Sequence, residues 1–374
     1  MTTADNLNRI IQAKSDIKTA IENKGVAVGD ITIDGYAEKI GEIPQDASFS
    51  GLDFTVIGYD MALTRELNDD FNADIQYSLQ KYNEWNPNRN DTQSLYQWDE
   101  KLIYAPLIDT SKVDNMYSMY QWCSNLKTVP LLNTSKVKNM YNLFYGCKKL
   151  TTVPLFDTSE VTNAGAIFEN CENLTTVPLF DFSNATNMDR IFSGCKNLTT
   201  VPLFNISKVT NLERMFNDCE NLTTVPQFDT QNVTDINYMF YGCKKLTTIP
   251  QFDTSKVINV RSMLEDCTSL TEVPLFDFSN VTNIKYFFGF SELKNLTTLG
   301  GFKDLKIDWS ENYGLAKCPN LTYESVMNVI NNLYDFRGNG DETTTKTIKF
   351  HPNSLALLSD DDKAIATNKG WVLS

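Results

Sequence analysis

The sequence predicts an α/β repeat solenoid over residues 102–299, and three observations carry that expectation. Prolines recur at Pro106, Pro130, Pro154, Pro178, Pro202, Pro226, Pro250 and Pro274, always 24 residues apart. Cysteines keep the same beat through Cys123, Cys147, Cys171, Cys195, Cys219, Cys243 and Cys267. Two residue types in one register are the mark of a repeated supersecondary unit. The third observation is that about nine apolar places recur in each of eight units. A unit this short cannot bury its apolar side alone, whereas stacked units cover one another along a continuous apolar rod.

Within a unit, Leu174-Thr175-Thr176-Val177-Pro178-Leu179 alternates inward and outward places and reads as a short parallel strand. Proline removes a ladder donor, so pairing is expected to stop or bend there. Asn187-Met188-Asp189-Arg190-Ile191-Phe192 carries apolar residues at i, i+3 and i+4 before Gly194, which predicts an outer wall of short helix or 3₁₀ turn. Eight units about 4.8 Å apart give an exposed face roughly 35 to 40 Å long.

The flanks divide into three parts. Residues 1–45 form an N-terminal attachment or oligomerisation segment. In it Leu7, Ile10, Ile11, Ile17 and Ile21 fall at helical spacings before Gly25. Such a helix is marginal alone, so its stripe needs a partner: the rest of the chain, a second copy in a homo-oligomer, or a docking protein. Residues 46–101 read as linker and N-terminal cap, with a helix pair between Met61 and Tyr82. Residues 300–374 read as the C-terminal cap, with Tyr323–Tyr334 helical, Thr345–Phe350 a strand and Ser359-Asp360-Asp361-Asp362 a helix start.

Composition excludes several functional classes. The 33 basic and 47 acidic side chains leave a net charge of -14 with no basic run, which disfavours nucleic acid and anionic membranes as partners. No stretch approaches the roughly 18 to 20 apolar residues of a membrane helix, and the first residues lack an apolar signal core, so no membrane insertion is expected. Asn-x-Ser/Thr tripeptides at Asn133, Asn173, Asn184, Asn197, Asn221 and Asn280 point away from a eukaryotic secretory route and toward a bacterial or viral source.

Residues that suggest chemistry each have a plainer reading beside them. The cysteines stand 24 apart rather than in metal-binding pairs, so buried free thiols are expected, and Cys318 lies outside the column. His351 is the only histidine, with no nucleophile signature near it. Asp360, Asp361 and Asp362 lack the alternating ligands of a calcium loop. The column Asp157, Asp181, Asp229, Asp253 and Asp277 precedes Ser/Thr-rich turns and caps them. An asparagine column, Asn115, Asn139, Asn163, Asn187, Asn211, Asn259 and Asn283 with Asp235 at its sixth place, supplies either inward amides that bond backbone at the bends or a ligand stripe. The column Phe156, Phe180, Phe204, Phe228, Phe252 and Phe276, preceded by Ile108 and Leu132, is either core or, if strand alternation turns it outward, an aromatic ligand-binding track. No catalytic constellation, metal site or cofactor motif is found, so a non-enzymatic protein with no cofactor is expected.

These units resemble the BspA-like leucine-rich repeats of bacterial surface proteins and of tailed-phage virion proteins, with Leu174 to Leu179 following the L-x-x-L-x-L pattern. The last unit departs from the pattern, Phe288-Gly289-Phe290 standing near the place of the cysteine, which leaves the regularity of stacking past residue 285 open. Asn6 to Lys14, Lys24-Gly25-Val26 and Tyr36 to Ile40 are similar to the leader of virion-attached phage proteins, and Ile365 to Ser374 to the terminus of phage repeat proteins. The resemblance implies a virion protein of tail or head fibres, assembled in the host cytoplasm and held by other virion proteins through residues 1–45. Its solenoid would bind a host-surface glycan or protein. A purely structural decoration protein and a bacterial surface adhesin are the alternatives.

Overall fold

The computed structural model describes residue 80, residues 90–311 and residues 314–374. The attachment helix with Leu7, Ile10, Ile11, Ile17 and Ile21, and the helix pair between 61 and 82 apart from Gln80, lie outside the described residues. Residues 90–311 form a rod of stacked turns. Each repeat lays its backbone against the next, so Phe168, Phe192 and Phe216 stack as a row of rings 5.7 and 5.8 Å apart. The row begins upstream at Tyr96, Tyr120 and Phe144, so residues 91–101 already follow the repeat pattern.

The seven periodic cysteines form one inward row, all fully buried and free. Each thiol donates to a backbone carbonyl of the preceding repeat, as Cys195 Sγ to Phe168 O at 3.1 Å and Cys219 Sγ to Phe192 O at 3.1 Å. Burial pushes these thiols well above their usual pKa. They behave as small apolar side chains with one weak donor.

Of the expected short helix or 3₁₀ turn, the outer wall has the second kind of bond only, as a ribbon of single i to i+3 turns that never extend into a helix. Met188, Ile191 and Phe192 do face the core, fully buried, as their spacing requires. Helix is precluded because every second N–H is committed to the next repeat: Arg190 N–H reaches Glu213 O at 2.8 Å, Phe192 reaches Met215 at 3.0 Å and Gly194 reaches Asn217 at 2.7 Å. The residues between close short turns, Ser193 onto Arg190 and Cys195 onto Phe192, both at 3.0 Å. Left-handed residues reset the chain at Arg190 (φ 54°) and Gly194 (φ 73°). Within 90–311 the described backbone has no α-helix.

The expected strand is also weaker than its pattern suggests. Thr175 N–H meets Thr151 O at 3.3 Å, and proline then leaves no donor to continue. Among the described residues, proper strands appear only at the C-terminal end, where β1 (Glu272–Val273) pairs in parallel with β3 (Thr298–Leu299) and β2 (Phe276–Asp277) with β4 (Phe302–Lys303). The asparagine column is the more regular seam: single parallel bridges run from Asn115 through Asn139, Asn163, Asn187, Asn211, Asp235 and Asn259 to Asn283. These side chains are half-buried and bond backbone two residues ahead, as Asn211 Oδ1 accepting from Glu213 N–H at 2.9 Å. Their role is therefore structural, although the backbone they satisfy belongs mostly to their own repeat.

Stacking stays regular slightly past the point where the motif fails. Leu264 N–H still reaches Phe287 O at 2.9 Å. Thereafter the offset grows from 24 at Asn259–Asn283 to 26 at Glu272–Thr298, and the two extra residues are absorbed between these seams. The C-terminal cap then closes the rod. Helix α1 (Tyr323–Asn332) starts at the Thr322 cap and buries Val326, Val329 and Ile330. Strand β5 (Lys346–Ile348) pairs in parallel with β6 (Trp371–Leu373). Helix α2 (Pro352–Leu355) is capped by His351, whose Nδ1 accepts from Asn353 N–H at 3.2 Å. Helix α3 (Asp360–Asn368) begins with a Ser359–Asp362 capping box, so the acidic triplet is a helix start.

Candidate functional site

Repeats expose two regular surfaces, and neither carries the phenylalanine column. The phenylalanine column is core: Phe156, Phe180, Phe204, Phe228, Phe252 and Phe276 are all buried, which removes the exposed aromatic track. At three of the repeats the reason is a tight turn at the proline. Phe180 N–H donates to Pro178 O at 3.0 Å, and Phe156 to Pro154 and Phe228 to Pro226 do the same at 3.0 Å. Such an i to i+2 bond makes the middle residue the apex of a γ-turn and breaks the strand alternation.

The residue after the proline is the one turned outward, at the apex of the turn in the case of Leu155 and Leu179. Leu131, Leu155, Leu179 and Leu203 are 48, 59, 62 and 58 % exposed, in line on one wall. Exposed Thr152, Thr176, Thr200 and Thr224 flank them. At the next two repeats the column becomes Gln227 and Gln251, whose amides donate to the backbone carbonyls of Gln251 and Leu275. The signal was present in the sequence: the leucine column admits glutamine, whereas the phenylalanine column admits only aliphatics.

Next to this wall the aspartate column folds its own turns. Asp157, Asp181 and Asp253 accept from the N–H of Ser159, Ser183 and Ser255 at 3.1, 2.9 and 2.9 Å. Hydrogen bonds from the Ser183 and Ser255 hydroxyls, joined by those N–H groups, hold the Asp181 and Asp253 carboxyls below their usual pKa.

The turn ribbon forms the second surface, and its left-handed positions vary most: Asn142, Ala166, Arg190, Arg214, Tyr238, Ser262 and Tyr286. Charges pair here within and across repeats, Arg190 with its neighbour Asp189 at 2.7 Å and with Glu213 of the next repeat at 3.1 Å, and Glu172 with Lys148 at 3.2 Å and Lys196 at 3.1 Å. Glu169 sits among Tyr145, Asp189 and Arg190, where burial raises its pKa to about 7 against the pull of Arg190. Farther along, Arg214, Tyr238, Arg261, Tyr286 and Phe290 line an open cleft of about 420 Å³.

No group of three or more His, Cys, Asp or Glu able to hold a metal occurs among the described residues. No described helix is long and apolar enough to cross a membrane. Both surfaces offer hydrophobic and hydrogen-bonding contact in a regular array.

No curated protein matches this chain. Among solved structures it is similar to a leucine-rich repeat protein of T. pallidum, with 20 % identity, 41 % of this chain and 69 % of that one covered, and a TM-score of 0.34. It is also similar to a leucine-rich cell surface protein of Faecalibacterium prausnitzii, with 16 % identity, coverage of 57 and 83 %, and a TM-score of 0.27. A leucine-rich repeat protein of Bacteroides ovatus shares 15 % identity, with coverage of 75 and 86 % and a TM-score of 0.20. Residues 100–202 and 186–298 match the family described as Mycoplasma protein of unknown function, DUF285. As these two stretches span just over half of its length, the chain belongs to that family.

Proposed function

We propose that this protein is a non-enzymatic recognition module whose leucine and threonine wall binds a host-surface macromolecule. The observation that carries the reading is the row Leu131, Leu155, Leu179 and Leu203. Four large apolar side chains in line on one exposed wall form the kind of patch that marks a contact surface. Flanking threonines supply hydrogen-bonding partners at the rim, as at protein interfaces.

The display vehicle we favour is a virion, on the resemblance of residues 1–45 and of Ile365 to Ser374 to phage proteins. In that reading the protein is assembled in the host cytoplasm and held by other virion proteins through its leader. A second reading, a bacterial surface adhesin, is favoured by a family described from Mycoplasma. A decoration role, with the wall against other virion proteins, is the third.

The test is binding of the purified full chain to isolated bacterial envelopes, compared with a Leu155→Ser, Leu179→Ser, Leu203→Ser triple variant of matched thermal stability. The reading expects saturable binding that the triple variant loses. Equal binding by both proteins, or none by the parent across host and non-host envelopes, contradicts it.

A further inference from the structure

We infer that the cleft on the turn ribbon between Arg214 and Phe290 binds a neutral saccharide. This site lies apart from the leucine wall and does not rest on the function proposed for that wall.

The argument begins with the left-handed column. Arg214, Tyr238, Ser262 and Tyr286 occupy successive repeats in one backbone conformation, φ between 51 and 59°, with Ser262 buried and the other three half-buried. Ser262 is the small member, and its place beside the tyrosines is taken by a neighbour. The Arg261 guanidinium lies 5.7 Å from the centre of the Tyr238 ring and 5.5 Å from that of Tyr286. Arg214 sits 4.7 Å from Tyr238. Phe290, 57 % exposed, continues the row with its ring 5.1 Å from Tyr286. The result is an alternating series of cation and ring along one side of the cleft.

The remaining lining is polar. Asn217, Asp218 and Glu265 contribute planar, two-headed groups, and Tyr241 adds a further ring 5.8 Å from Tyr238. Glu265 is held in place by hydrogen bonds from Ser262 and from the Phe290 backbone. Two guanidinium and two carboxyl groups balance, so the cleft carries no net charge to select an ion. A chain of net charge -14 gives an anion no other attraction.

Rings beside planar amide, carboxylate and guanidinium groups suit one ligand chemistry in particular. A pyranose presents an apolar C–H face to an aromatic ring and vicinal hydroxyls to two-headed side chains. One donor is already prepared: the Nε–H of Arg261 is buried without a hydrogen-bond partner. A buried donor left open is costly unless an acceptor arrives from outside. The volume, about 420 Å³, falls within the range of about 300 to 1,000 Å³ typical of ligand sites.

The test is saturation-transfer NMR on the full chain with maltotriose, N,N′-diacetylchitobiose and N-acetyllactosamine, with sialyllactose as the acidic comparator. At least one neutral sugar is expected to receive saturation. Phe290→Ala and Arg261→Met, each first matched to the parent by thermal melting, should each weaken it by about ten-fold or more. Leu179→Ser should leave it unchanged, which separates this site from the leucine wall. Binding of no neutral sugar, binding only of sialyllactose, or binding indifferent to Phe290→Ala overturns the inference.

Discussion

Leu179 and Phe180 are neighbours in the chain and stand on opposite sides of the same wall, the first 62 % exposed and the second 3 %. The bond from Phe180 N–H to Pro178 O bends the chain between them. Phe180 then packs between Phe156 and Phe168 in the core.

This relation predicts opposite outcomes for adjacent substitutions. Phe180→Ala should cost about 3 to 5 kcal/mol, the loss expected when a buried ring is truncated. Leu179→Ser should stay within about 0.5 kcal/mol of the parent. Urea denaturation of the two variants checks the pair, and similar losses would place Leu179 in the core.

Gly194 combines φ 73° with the Asn170 side chain lying where a Cβ would go. Gly340 has φ 84° and open space around it. Alanine at either site meets the left-handed penalty of about 1 kcal/mol or more, but Gly194→Ala must also displace Asn170. Thermal melts should therefore rank Gly194→Ala below Gly340→Ala.

All eight cysteines are buried and free, and burial raises the pKa of the Cys147, Cys195, Cys219 and Cys243 thiols well above the usual value. A thiol reagent such as DTNB should leave the native protein untouched and titrate all eight once urea unfolds it. Rapid labelling of several thiols in the native state would break the inward row.

Glu169 gives a pH dependence with a definite sign. Its folded pKa, about 7, lies above the ordinary 4.5, because burial among Tyr145, Asp189, Arg190 and Arg214 outweighs the pull of the two arginines. The stability linked to a raised acid is present below the unfolded pKa and is lost as pH rises through the folded one. Glu169→Gln should thus raise the melting temperature relative to the parent at about pH 8, with less advantage at about pH 5. An advantage that grows toward acid pH would contradict the environment assigned to Glu169.

Much of the rod was legible because repetition reports burial directly. A place occupied by cysteine in seven successive units has one environment, and the row from Cys123 to Cys267 is continuous. The helix starts near Tyr323 and Asp360 were legible too, since Thr322 and Ser359 act through local capping bonds. Backbone type was not. Met188, Ile191 and Phe192 satisfy helical spacing, but the same inward set arises from turns whose alternate N–H groups bond the next repeat. The exposed leucine wall was not legible for a related reason: alternation assumes an unbroken strand, and the γ-turn at Leu179 puts leucine rather than phenylalanine in the outward place. The cleft depends on Arg261 filling the gap above Ser262, a long-range arrangement that no single repeat encodes.

The central claim is that successive 24-residue units stack in one line with the apex residues on one wall. Pairs of spin labels on Leu131→Cys with Leu203→Cys, Gln227→Cys or Gln251→Cys, read by electron paramagnetic resonance, measure it directly. The stack predicts mean distances that lengthen by about 5 Å per repeat across the three pairs. Distances that stay level, or that shorten as sequence separation grows, would contradict it.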